Sequence, residues 1–385
     1  MRCPHQRTWG LHGAALLLAL WPACAGAVEI EDGKLSIDGF GRWAMGDTLG
    51  SQNDYVFAKP KGNYDSGQFA LCLTARPIQV IAVGAQVDFD PDMGGLSLDW
   101  AFVDYRPSDA FHIHAGRFKH AFGIFGETLK VGTLDPFLFL PITVYGDAEF
   151  AVNGVEGLGI SGSVESGRWR LTYDAYGGDF DSPISPLYAN AIAAYVAQTG
   201  QAAPSSDEAR GTIGGRLILE TPVLGLSVRL SAYTNLEDSA LRGRRLVLGP
   251  SAEYVNDAFT VRAEYFHHED FGTQNAIDFD DDAAYLEAGY FLTEHLELAL
   301  RGEYSQTHSG GTVLAKVPHS ASLDRHRELA ATIDWWFTPS VVAKLSGHWV
   351  NGNHFALPTD VAAATNAGAL QPQTSAAMAG VQFSF

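Results

Sequence analysis

Sixteen segments of about ten residues, spread between residue 33 and residue 385, carry apolar side chains at alternate positions. A period of two puts those side chains on one face of a strand and the intervening polar ones on the other. The segments are 33–45, 67–76, 78–89, 96–106, 110–118, 155–165, 168–177, 212–220, 224–234, 245–255, 258–267, 283–292, 295–305, 326–337, 340–350 and 375–385. In 326–337, Leu329, Ala331, Ile333, Trp335 and Phe337 would face lipid while Glu328, Thr332 and Asp334 face water. The last segment ends on Phe385 with Ala377, Ala379, Val381 and Phe383 on the same side. Such an edge invites aggregation unless another strand seals it, and in a closed barrel the first strand does so.

The connections alternate in length. Short ones centre on Arg76-Pro77-Ile78, Arg106-Pro107-Ser108-Asp109, Glu165-Ser166-Gly167, Thr221-Pro222-Val223, Asn256-Asp257, Thr293-Glu294 and Thr338-Pro339. Long ones are 46–66, 90–95, 119–154, 178–211, 235–244, 268–282, 306–325 and 351–374. Bacterial barrels pair short periplasmic turns with longer external loops, so an all-β, 16-stranded antiparallel transmembrane barrel with both termini in the periplasm is expected. Sixteen strands enclose a water-filled channel rather than a packed interior. A soluble β-sandwich with one wet face shares the alternation but not the loop rhythm.

The N-terminus agrees with export. Arg2, His5 and Arg7 precede the apolar stretch Leu11–Leu20, and Ala23-Cys24-Ala25-Gly26-Ala27 offers small residues for cleavage, so residues 1–27 read as a signal peptide and 28–385 as the barrel. Trp21-Pro22 suits lipidation of Cys24 poorly. Cleavage would leave Cys72 as the one cysteine, which excludes a disulfide framework within the chain. The formal net charge is −19, with 25 Lys and Arg against 44 Asp and Glu, and loss of Arg2 and Arg7 takes it to −21. That balance excludes nucleic acid as a partner. Beyond the signal no apolar run of about 18 residues occurs, so no transmembrane helix is expected.

Ala101-Phe102-Val103-Asp104-Tyr105-Arg106-Pro107-Ser108-Asp109, then Ala115-Gly116-Arg117-Phe118-Lys119, Phe122-Gly123 and Leu140-Pro141, resemble the phosphate-selective porin O/P family. The resemblance covers residues 96–160 closely and the remainder only in architecture. It implies an outer-membrane, trimeric diffusion porin whose third loop narrows the pore and whose basic residues attract anions. The candidate constriction is therefore the aromatic-rich connection 119–154, with Arg117, Lys119, Glu127, Asp147 and Glu149 as its charges. Packing against a neighbouring subunit, or capping the mouth, is the alternative use of that loop.

A phosphate filter needs a dense basic cluster to replace the ion's hydration. Here the seven lysines are scattered, and alternation sends Arg42, Arg168, Arg170, Arg216, Arg229, Arg262 and Arg301 to the water-facing wall together with Asp38, Asp99, Asp174, Glu220, Glu253, Glu264, Glu287, Glu297, Glu303, Glu328 and Asp334. A wall of mixed sign suits a general porin passing small hydrophilic solutes by diffusion, with no cofactor. The alternatives are an anion- or phosphate-selective channel, and a structural or adhesive barrel without an open pore. Asp278, Asp280, Asp281 and Asp282 read as an acidic loop that could bridge through divalent ions to outer-leaflet phosphates, lipopolysaccharide included, but they lack calcium-loop spacing. His112 and His114 share a face without an evident third ligand; His267 and His268 face opposite ways. No Ser/His arrangement recommends an enzyme, since Gly159-Ile160-Ser161-Gly162 lacks the strand-to-helix setting of a nucleophile elbow.

Overall fold

The structure, a computed structural model, describes residues 28–30, 34–91, 95–146, 150–182, 192–193, 196–197, 200, 207–238, 243–271, 278–310 and 320–385. The leader expected at 1–27 and the charges Asp147 and Glu149 lie outside the described residues.

Sixteen long strands form one antiparallel sheet: β1 Leu35–Thr48, β2 Asn63–Ile78, β3 Ile81–Asp90, β4 Gly95–Ser108, β5 Phe111–Phe118, β6 Val155–Ser166, β7 Trp169–Ser182 and β8 Asp207–Glu220 make the first half. β9 Leu226–Thr234, β10 Arg244–Val255, β11 Phe259–Phe271, β12 Asp278–Phe291, β13 Leu296–Gly310, β14 Arg325–Thr338, β15 Val341–Asn351 and β16 Gln373–Ser384 make the second. Each pairs with its sequence neighbour, and β16 returns to β1 from Ala376↔Thr48 to Ser384↔Phe40, so the sheet closes into a barrel.

The seam explains the terminal aromatics. Gly39 and Phe385 exchange backbone hydrogen bonds of 3.0 and 2.8 Å. The rings of Phe383 and Phe385 lie over Gly41 and Gly39, where a Cβ would overlap them. Both rings reach Phe69 of β2, at 6.4 and 6.3 Å between centroids.

Alternation sets the two faces. On β14, Leu329, Ile333 and Trp335 are exposed while Glu328, Thr332 and Asp334 are buried, and the same inversion recurs round the barrel. An outer surface that is apolar all the way round, enclosing a polar interior, is the pattern of a barrel whose solvent is lipid.

Several strands run past the segments that periodicity marks. β12 begins at Asp278, so Asp278, Asp280, Asp281 and Asp282 belong to a strand rather than to the expected acidic loop. Asp281 turns inward beside His268, and Asp280 and Asp282 turn outward beside His267. The apolar alternation stops where the belt stops, but the backbone ladder needs no apolar side chains and continues. Pro77 and Pro107, expected in turns, sit inside the ends of β2 and β4 at register shifts, which accommodate a residue without an N–H. A short strand, Val28–Ile30, extends the β1 edge below β16, and Asn53–Tyr55 pairs with Ala356–Pro358, tying the connections after β1 and β15 together.

Candidate functional site

The connection from β5 to β6 carries short turns, a single turn of 3-10 helix at Gly132–Leu134 and one helical turn at Ile142–Tyr145 started by Pro141. Its aromatic residues pack on inward-facing side chains of the wall. Phe122, Phe125 and Phe150 join Tyr176, Tyr233, Phe266 and Tyr285 in one buried cluster, with Phe122 and Phe266 centroids 4.3 Å apart. Phe137 packs on Ala299 and Ala330, and Phe139 meets Tyr55 edge-on at 5.9 Å.

Polar ties reach most of the circumference. Lys119 pairs with Asp99, and Lys130 with Asp88 at 2.8 Å and Asp99 at 3.1 Å. Arg216 on β8 holds Glu127 at 2.6 Å and Asp174 at 2.9 Å. Glu264 on β11 accepts from the Ile124 N–H at 2.8 Å and from the hydroxyls of Tyr145, Tyr285 and Ser251. Glu303 on β13 accepts from Thr143 N and Oγ1 at 3.0 and 2.9 Å. Arg301 donates to the Phe139 carbonyl at 3.0 Å, and its guanidinium lies 4.2 Å from the Phe137 ring centre. The Lys344 ammonium on β15 donates to the carbonyls of Gly132 and Phe137 at 3.0 Å each, and to that of Asp135. Gly123 makes the close approach possible: its φ is +55°, and a side chain there would meet Tyr145 and Glu264.

Within this connection His120 is fully buried, stacked on Phe122 at 5.1 Å. Its Nδ1 accepts from the Val152 N–H at 3.2 Å, which leaves Nε2 to donate to the Tyr176 hydroxyl at 2.6 Å. Burial, with a smaller push from Arg216, lowers its pKa to about 3, so the ring is neutral. Tyr145 is pushed up by burial and by the charge of Glu264, which keeps its hydroxyl a donor. For Lys130 burial alone would lower the pKa, but Asp99 and Asp88 outweigh it and the ammonium is held.

Of the expected constriction charges, Lys119 and Glu127 meet the wall as described. Arg117 does not join them. Alternation along β5 turns it outward with its register partner Glu156, 3.0 Å away. Of the wall arginines, Arg216, Arg229, Arg262 and Arg301 face inward and are each ion-paired: Arg229 with Glu253 at 2.7 Å, Arg262 with Glu253 at 2.8 Å and Glu287 at 3.1 Å, Arg301 with Glu303 at 2.9 Å. Arg42 faces inward, donates to the Leu138 carbonyl at 3.3 Å and lies over Phe57. Arg168 is in the turn between β6 and β7, donating to the Pro222 carbonyl at 2.8 Å, and Arg170 sits exposed at that rim beside Glu165. Both fall at a strand end, where a one-residue boundary error moves a side chain from wall to rim.

Sequence reading did not single out His120, Lys130, Asp135, Lys344 or Tyr55 as site residues. Lys119 and Lys130, far from a cluster in sequence, converge on Asp99 only because the connection doubles back.

No family model and no curated protein matches the chain, so the specific family resembled by residues 96–160 gains nothing from those comparisons. Solved structures do match over nearly the whole length. OmpF of Salmonella typhi in complex with daunomycin aligns over 93% of this chain and 100% of its own, with a TM-score of 0.61 and 14% identity. The outer membrane channel DcaP of Acinetobacter baumannii aligns over 93% and 99%, with a TM-score of 0.55 and 11% identity. An anion-selective porin from Comamonas acidovorans aligns over 91% and 99%, with a TM-score of 0.53 and 12% identity. What is shared at these identities is the barrel.

Proposed function

We propose that this chain is an outer-membrane porin that lets small hydrophilic solutes and ions diffuse through its barrel, with the 119–154 connection as the element that narrows the passage. The observation that carries the reading is the attachment of that connection to inward-facing groups from β3 to β15, among them Asp88, Arg216, Glu264, Arg301 and Lys344. A plug with no passage would need no charged wall, whereas water and ions do. Residues 1–27 act as the export signal, and the mature barrel assembles as a homotrimer in the outer membrane, in contact with lipid and lipopolysaccharide. No cofactor takes part.

Weak selectivity follows from the pairing of the wall. Among the described residues, Lys119, Lys130, Arg216, Arg229, Arg262 and Arg301 each have a carboxylate partner. Cations already neutralised by fixed carboxylates cannot replace the hydration of a passing phosphate. The name of the Comamonas protein keeps anion selectivity as the second reading.

The test is single-channel conductance of the refolded protein in a planar bilayer, with the reversal potential read across a KCl gradient and phosphate added afterwards. Steps in threes, a reversal potential within a few millivolts of zero and no phosphate block are expected. Strong anion selectivity with block would replace this reading by the phosphate-channel one. Absence of conductance would leave the structural or adhesive barrel.

A further inference from the structure

On the inner face, Glu303 of β13, which also holds Thr143, and Glu328 of β14 are direct partners across the ladder. Both are buried, at 5% and 6% exposure. Like charges directly opposed on one face repel, and burial magnifies the cost. Arg301 answers the charge on Glu303. Glu328 is met differently: among the described residues its neighbours are His348 Nδ1 at 2.5 Å and His326 Nε2 at 3.2 Å, which answer its charge only when protonated, and the Tyr55 hydroxyl, with no guanidinium or ammonium at ion-pair distance. His326 is fully buried, and its Nδ1 has no hydrogen-bond partner among the described residues.

These observations share one solution. We propose that Glu303, His326 and Glu328 form a site for one divalent first-row transition cation, inside the barrel wall. One ligand atom from each residue lies within 4.8 Å of the others, the span of a common coordination sphere. A nitrogen with two carboxylate oxygens suits Zn²⁺, Co²⁺, Ni²⁺ or Mn²⁺, whereas Ca²⁺ takes six to eight oxygens. The cation supplies the positive charge that Glu328 lacks while the rings of His326 and His348 are neutral. His348 orients Glu328 through Nδ1 and is itself fixed by Ser346 at 2.8 Å from Nε2. Tyr55, stacked near His326 at 6.1 Å, and Phe355, edge-on at 5.2 Å, close the site toward the connections after β1 and β15. Occupancy would therefore tie those connections, and Thr143 on Glu303, to one point of the wall. The site does not depend on whether the barrel conducts.

The experiment is titration of the chelator-stripped, detergent-refolded protein with Co²⁺, read by visible absorption, followed by displacement with Zn²⁺. One Co²⁺ per chain is expected, displaced by Zn²⁺ and not by Ca²⁺. His326→Gln abolishes it, and His348→Gln weakens it by on the order of tenfold. If His326→Gln does not refold, Glu303→Gln carries the same expectation. His267, Asp280 and Asp282 form an exposed group of comparable span on the outer face, so His267→Ala serves as the control and leaves binding unchanged. Absence of saturable binding to the wild-type protein overturns the proposal. So does binding that survives His326→Gln and is lost in His267→Ala.

Discussion

His120 sits where a titratable ring is most costly to charge. Its native pKa of about 3 lies below the unfolded value near 6.5, so at intermediate pH the unfolded chain binds a proton that the native one refuses. The stability it contributes is complete above pH 6.5 and is lost as pH falls from there toward 3, by up to about 1.4 kcal/mol per pH unit for one proton. Urea unfolding in detergent between pH 7 and pH 4 should therefore steepen with acid in the wild-type protein and less so in His120→Gln, after subtraction of the common slope. An identical slope in both proteins would show that this ring is not titrating. The sequence carries no sign of this: His120 follows Lys119 in a loop without periodicity, and its burial depends on Phe122, Tyr176 and Tyr233 arriving from three separate elements.

Elements differ in how far alternation can announce them. The sixteen strands were legible because lipid on one side and water on the other select every second residue, but their ends were not, since β12 continues through Asp278–Asp282 on backbone pairing and polar side-chain contacts rather than apolar alternation. The closing strand makes a demand on its partner that composition explains only afterwards: Gly39 and Gly41 are bare so that Phe385 and Phe383 can lie across β1. Gly41→Leu should cost about 1–3 kcal/mol through overpacking and lower the folded fraction on a gel that separates heat-modified barrels, while Gly67→Ala on β2, with no atom closer than 4.0 Å, should not. The 119–154 connection has a different vulnerability. Lys344→Met removes three hydrogen bonds to the carbonyls of Gly132, Asp135 and Phe137. Single-channel conductance should rise and its open-state noise increase. Unchanged conductance and noise would mean that residues 132–137 do not bound the passage.

At the scale of the molecule, charge is arranged as pairs rather than as a field. The chain carries −19 overall, yet inside the barrel Arg216, Arg229, Arg262 and Arg301 of the wall are each matched by a carboxylate at 2.6 to 2.9 Å. Conductance through such a wall should fall nearly in proportion as KCl is lowered from 1 M to 0.1 M, because an unpaired ladder would hold counter-ions and flatten the curve. A plateau at low salt would reveal uncompensated charge along the path. The sequence by itself determined the barrel, its strand number and the two faces of each strand, because a period of two and the order of neighbours along the chain are local properties. Which charges meet was decided only by tertiary structure. Arg117 turned outward to Glu156, Lys119 and Lys130 met at Asp99, and Glu303 came opposite Glu328, because register and the path of a loop across the wall depend on every strand between them.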